Sequence, residues 1–172
     1  MSHPADFTPV CTTELARLAQ LQSNLTERDV KTVCLSVDSL TDHESWVSDV
    51  KHVSGCQVPF PLIADEKGEI AKTLGLLDES VDKRVTVRGV FVIDPEKKVK
   101  AVICYPTSAG RNFDEILRLI DSLQLTTKRP DVVTPVDWKS GGDVIVKPGC
   151  SIDGSTSVEL PSGKDYLRYV KP

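Results

Sequence analysis

"VKTVCLSVD" (residues 30–38) constrains this chain more than any other stretch. It is a nearly unbroken β-branched apolar run, the kind expected of a strand covered on both faces. That is the setting of a mostly parallel sheet with helices on each side. The flanking residues fit this frame. "TDHE" (Thr41 to Glu44) reads as a capping box opening a helix that carries Trp46, Val47 and Val50. "PFPLIAD" (59–65) predicts a short strand and "EKGEIAKTLGLL" (66–77) a second helix, so the chain alternates βαβα.

Further on, "RVTVRGVFVID" and "KKVKAVICYP" flank a Pro-containing turn at 94–98 and predict an antiparallel hairpin. "GRNFDEILRLIDSLQL" predicts a helix with Asn112 and Glu115 as a capping pair and Phe113, Ile116, Leu117, Ile120 and Leu123 on one face. After residue 126 the helical period stops and 10 of the chain's 21 Pro and Gly residues follow. The expected organisation is therefore an α/β domain over 1–126 and an extended strand-and-loop appendage over 127–172.

At 172 residues and 40% apolar composition, one domain with a sizeable core is affordable. A formal charge of −4 with no basic run offers no general attraction to nucleic acid or anionic lipid. The longest apolar stretches are strand-sized, and the first residues lack a signal peptide's apolar run, which leads to an expected cytoplasmic location. Five widely spaced cysteines (Cys11, Cys34, Cys56, Cys104, Cys150) form no Cys-x-x-Cys pair, and three histidines form no His-x-x-x-His pair. Neither a disulfide framework nor a metal site has support in that pattern. Cys34 and Cys104 fall inside apolar strand runs and are expected to be inert core residues, whereas Cys56 and Cys150 fall in loops.

The chemistry gathers at the front, in "SHPADFTPVCTTEL". Thr8 reads as an N-cap, Pro9 as the first helical residue, and Cys11, Leu15, Leu18 and Leu25 recur at helical spacing. Cys11 then lies in the first turn, where free N–H groups and the helix dipole favour a thiolate. Thr8 can bring a hydroxyl beside the sulfur, and Pro4 and Pro9 stiffen the loop. The plainer alternative is a small apolar Cys11 at a helix start with Thr8 as a simple cap.

Pro4, Thr8 and Cys11 reproduce the Pro-x-x-x-Thr-x-x-Cys signature, and the segment resembles that of peroxiredoxins, in particular the one-cysteine branch. "VTVRGVFVIDP" resembles the strand bearing that family's active-site arginine, here Arg88. "YPTSAGRNFDEILR" resembles the helix with a second arginine, here Arg111. "TPVDWKSGGDVIVKP" and "LPSGKDYLRY" resemble the C-terminal extension of one-cysteine members. The resemblance implies a thioredoxin-like mixed sheet with flanking helices and a thiol-specific peroxidase. In it, Cys11 thiolate reduces hydrogen peroxide or organic hydroperoxides and becomes a sulfenic acid. Arg88 would lower the thiol pKa and help bind peroxide, Thr8 would hold peroxide oxygens, and Pro4 would shield the sulfenic acid. His3, Glu14 and Arg111 would form a supporting polar shell. Their alternatives are a loop residue, a first-turn acid and a surface residue, respectively. No cofactor or metal is implied, and the reductant would be an external thiol such as glutathione or thioredoxin. Cys150 lacks the Val-Cys-Pro context of a resolving cysteine, so its resolving role is the minor alternative. A homodimer is implied.

In that family the Pro-Thr-Cys loop follows a central strand, and here Met1 stands just before Ser2. The expectation is an N-terminally truncated fold whose first strands are missing, with a gap between 31–37 and 89–94. Unpaired edges there give a second functional reading, an inactive redox-sensing or dimerising module.

Overall fold

In the computed structural model, which describes residues 1–81 and 84–172, the apolar run forms a strand only over Cys34–Ser36 (β1). It pairs in parallel with Leu62–Ala64 (β2), Cys34 opposite Leu62 and Ser36 opposite Ala64. The expected longer strand is shortened because its partners run out. On its other side the run meets Met1 and His3, through Val33 and Leu35.

No direct pairing joins β1 to the hairpin strand Arg88–Ile93 (β3) among the described residues. The expected gap is nevertheless not open along its length, because Met1–His3 lie in it. The amide of His3 donates to Leu35 O, Leu35 N donates to Met1 O, and Ser2 N donates to Gly89 O. Ser2 Oγ adds a second link, donating to Val87 O at 2.6 Å and accepting from Gly89 N at 2.9 Å. These bonds satisfy backbone groups that would otherwise be orphaned in a buried place.

Gly89 is required at this junction. A Cβ there would lie 2.4 Å from Leu76 Cδ2 and 3.1 Å from Ser2 Oγ, both on buried residues. Gly89→Ala is expected to lower stability by about 1–3 kcal/mol through overpacking. A urea melt reads the effect, and an unchanged midpoint would count against so tight a junction.

β3 pairs antiparallel with Val99–Tyr105 (β4), as the hairpin pattern predicts. Arg88 lies opposite Tyr105, and a register shift follows Val92. The turn closes by Asp94 N donating to Lys98 O. Cys104 departs from expectation: it is exposed, not core. Among the described residues β4 is paired only by β3, and its alternating side chains leave Val102 and Cys104 facing outward.

The helices differ from expectation at their ends. The first, Pro9–Gln20 (α1), stops at Leu21, and Leu25 belongs to a separate short helix, Gln22–Glu27 (α2). The next, Leu40–Ser54 (α3), is capped by Ser39 and Asp42, not by Thr41 and Glu44. Its buried face carries His43, Trp46 and Val50. The helix expected over 66–77 spans only Glu69–Thr73 (α4). Asp65 accepts from Ile70 N and Ala71 N at its start, and Gly75, at φ +64°, ends it. Leu76 and Leu77 thereby leave the helix and pack with Leu35, Ala71, Val87 and Phe91. Each buried leucine contributes about 1.5–3 kcal/mol to this core.

Two units divide the chain, Met1–Phe113 and Asp114–Pro172. The second holds most of Phe113–Lys128 (α5) and four short strands, Val132–Val133 (β5), Val144–Val146 (β6), Thr156–Ser157 (β7) and Arg168–Val170 (β8). These form an antiparallel sheet in the order β5-β6-β8-β7. Val132, Trp138 and Val144 form its core, against Leu125, Ile152 and Val170. Among the described residues no helix is long and apolar enough to cross a membrane.

Candidate active site

The Thr8–Pro9 step starts α1 and puts Cys11 in its first turn, fully buried. Glu14 follows three residues later on the same helical face. Arg88 arrives from the first residue of β3, and its Nη1 lies 3.4 Å from Cys11 Sγ and 2.9 Å from Glu14 Oε2. Hairpin register explains how the guanidinium is aimed. Arg88 pairs with Tyr105, so the carbonyl of Thr107, two residues past the end of β4, accepts from its Nε at 3.0 Å and Nη2 at 2.6 Å.

Glu14 is shared by two arginines. Its Oε1 accepts from Arg111 N at 2.8 Å and Arg111 Nε at 3.0 Å, and its Oε2 accepts from Arg111 Nη2 at 2.7 Å as well as from Arg88. Arg111 Nη1 then donates to Ser2 O and Gly89 O, which ties the ion cluster to the Met1–His3 junction. Burial alone would push the Glu14 carboxyl up, but the hydrogen bonds and charge of Arg111, with Arg88, hold it below its ordinary value. One carboxylate and two guanidiniums leave this buried cluster with a net positive charge facing the sulfur.

A second cluster surrounds the loop between His3 and Thr8. Asp6 Oδ1 bonds His3 Nε2 at 2.7 Å and Asp6 Oδ2 bonds His43 Nδ1 at 2.5 Å, all three side chains being buried. Asp6 N donates to Asp38 Oδ2, which also accepts from Ser36 Oγ. His3, Asp6 and Asp38 have donor atoms within 4.8 Å of one another, a spacing a cation can use, but both Asp6 oxygens are already engaged by imidazoles. Burial would raise the Asp6 carboxyl, and its two histidine hydrogen bonds outweigh that and lower it. Trp46 lies over His3, with ring centroids 5.2 Å apart, and its Nε1 donates to Thr12 Oγ1.

Of the residues read from sequence, the structure brings Cys11, Arg88, Glu14 and Arg111 into one bonded cluster. Pro4 is buried in the approach loop and His3 is bonded to Asp6. Thr8 occupies the N-cap position, but its hydroxyl donates to Ala5 O instead of capping α1 or bonding the sulfur. Asp6 and His43 escaped the sequence reading. The His-x-x-Asp spacing of His3 and Asp6 was the available signal, and "TDHE" drew attention to capping instead. An open groove of about 350 Å³, lined among others by Phe7, Thr8, Trp46 and Val53, lies beside this loop; Cys11 does not line it.

A thiol in a helix's first turn, faced by a fixed arginine on an α/β scaffold, is an arrangement that suits a thiol redox enzyme. Comparison with known proteins narrows the class. Residues 1–102 match the AhpC/TSA family, and residues 122–154 match the C-terminal domain of 1-Cys peroxiredoxin. The chain is 50% identical to peroxiredoxin-6 of Mus musculus, the match covering 98% of this chain and 82% of that protein. It is 48% identical to a 1-Cys peroxiredoxin of Dirofilaria immitis with the same coverages. Its structure is similar to that of peroxiredoxin 6 from Arenicola marina (TM-score 0.95, 46% identity, 99% of this chain and 83% of that one). A yeast mitochondrial 1-Cys peroxiredoxin, described as thiol-resolved through glutathione/thioredoxin systems, gives a TM-score of 0.87 at 40% identity, covering 99% and 84%. The chain belongs to the AhpC/TSA family, in its one-cysteine peroxiredoxin branch, and has the thioredoxin-like α/β fold expected from the sequence. It is a thiol-dependent peroxidase, and nothing in these likenesses favours the inactive alternative.

Proposed function

We propose that Cys11 is the peroxidatic residue and that Arg88 is its charge partner, and the observation that carries this reading is the 3.4 Å approach of Arg88 Nη1 to Sγ. The thiolate attacks the terminal oxygen of a hydroperoxide, the O–O bond breaks, and the leaving alkoxide or hydroxide takes a proton to depart as alcohol or water. Cys11 is left as a sulfenic acid. A thiol then condenses with it, releasing water and forming a mixed disulfide, and a second thiol restores Cys11. The net charge of the Glu14–Arg88–Arg111 cluster favours the anionic attacking and leaving groups. Thr8, whose hydroxyl oxygen can still accept, holds the peroxide, and Pro4 with His3 shapes the pocket.

The reaction as written needs no metal and no cofactor beyond the thiol, and the yeast relative supports glutathione or thioredoxin as its source. A cytoplasmic homodimer, with 127–172 as the extension, completes the reading. One equivalent of hydrogen peroxide followed by dimedone and peptide mass spectrometry tests it. The expected result is a single adduct on Cys11, absent from Cys11→Ser. An adduct on Cys56 or the exposed Cys104, with Cys11 unmodified, would overturn it.

A further inference from the structure

Asp6 sits between two buried histidines whose surroundings push their protonation in opposite directions. Each of its oxygens faces one ring nitrogen, His3 Nε2 at 2.7 Å and His43 Nδ1 at 2.5 Å. The outer nitrogens, His3 Nδ1 and His43 Nε2, are buried and have no hydrogen-bond partner. Burial, only partly offset by Asp6, lowers the His3 pKa and favours its neutral form. Burial acts the same way on His43 but is outweighed by its bond to Asp6, so its pKa is raised. The groups facing His43 are Asp6 and His3 on the loop, Asp38 after β1, and the Ile63 backbone of β2, which favours the protonated ring without completing a hydrogen bond.

We propose that Asp6 and His43 are a positioning pair for the loop carrying Pro4 and Thr8, fixing His3 as its Nε2–H tautomer and gripping the loop more tightly when His43 is protonated. The inference rests on the reading of Cys11 as the reacting thiol only for its bearing on turnover. A neutral His3 that donates through Nε2 keeps a bare lone pair on Nδ1. A protonated His43 makes its bond to Asp6 charge-assisted, which is the stronger form. Asp6 N is held by Asp38, and Trp46, one turn beyond His43 on α3, covers His3 and Phe7. The segment leading into α1 is thereby held from both α3 and the end of β1.

His43, raised above its unfolded value of about 6.5, stabilises fully below that value, and the gain is lost as pH rises through the folded pKa. His3, lowered, works in the opposite sense, losing stability as pH falls below about 6.5.

Imidazole ¹⁵N spectra of the whole labelled chain at pH 6.0 and 8.5 test the protonation pattern. His3 should carry its proton on Nε2, and His43 should be more fully doubly protonated at pH 6.0 than at pH 8.5, its neutral form keeping the proton on Nδ1. Hydrogen exchange of residues 5–8, corrected for intrinsic rates, should show at least about fivefold more protection at pH 6.0 than at 8.5. His43→Asn keeps a donor for Asp6 but cannot titrate, so it should lose that difference and oxidise at Cys11 within about threefold of wild type at pH 8.5. Asp6→Asn, unable to accept from both rings, should oxidise at least about tenfold more slowly. A His3 proton on Nδ1, pH-dependent protection that survives His43→Asn, or a wild-type oxidation rate in Asp6→Asn would each overturn the proposal. Spectra and exchange need no turnover, so a failure of Cys11 trapping would sink the peroxidatic assignment alone.

Discussion

Arg88→Met is expected to slow oxidation of Cys11 by hydrogen peroxide about 10²–10³-fold, equivalent to about 2.7–4 kcal/mol of transition-state stabilisation. During attack, negative charge moves from the sulfur toward the departing oxygen, and a guanidinium already fixed beside both needs no reorganisation to meet it. The structure supplies that fixity: Thr107 O holds Nε and Nη2, and Glu14 holds Nη1 next to the sulfur. Methionine keeps the apolar stem of the side chain without its charged head, and Glu14 keeps all its Arg111 bonds, so the fold should survive. Arg88→Lys should recover only part of the rate, because one ammonium cannot reach the sulfur, Glu14 and the Thr107 carbonyl in a fork geometry. Single-turnover stopped flow, beside a thermal melt of each variant, separates lost chemistry from lost folding. A Met variant that folds and reacts within threefold of wild type would remove Arg88 from the mechanism.

What the sequence revealed and what it hid divide along a physical line. The start of α1 was legible because Pro9 can open a helix and not continue one, and the hairpin because two apolar runs flank a Pro turn. Arg88 and Arg111 came only through the family resemblance, since nothing local to residues 88 or 111 reports that both reach Glu14, 74 and 97 residues away. The Asp6–His43 contact spans 37 residues and was invisible for the same reason. Capping failed differently. Ser39–Asp42 and Thr41–Glu44 both satisfy the capping-box pattern, and the structure uses the earlier one, directly after the Ser36–Asp38 turn. Cys104 was misread because an apolar strand pattern does not say which face is covered. The short β1 shows the converse limit: composition sets where a strand can form, and available partners set how long its ladder runs.

Glu14→Ala is expected to cost about 3–5 kcal/mol of stability, because it strips the one carboxylate from two buried guanidiniums. That is a large fraction of the roughly 5–15 kcal/mol typical of a folded domain, so this variant should populate unfolded chain readily. Arg111 would keep its bonds to Ser2 O and Gly89 O, but those carbonyls do not neutralise its charge, and Arg88 would lose its tether beside the sulfur. Glu14→Gln is the softer probe, retaining shape and one acceptor oxygen. The Glu14 carboxyl is held below its ordinary value in the fold, so its stabilisation is complete above the unfolded pKa of about 4.3. It is lost as pH falls through the lower folded value. Asp6, lowered in the same way, adds an acid dependence of its own that both proteins share. Urea melts of wild type and Glu14→Gln should therefore differ by a constant amount from pH 7.5 down to about 4.3, and the difference should shrink below that. A difference that is absent at pH 7.5, or that grows in acid, would mean the two arginines do not depend on this carboxylate. The cluster that sets the charge around Cys11 would then have to be stabilised by the Thr107, Ser2 and Gly89 carbonyls alone.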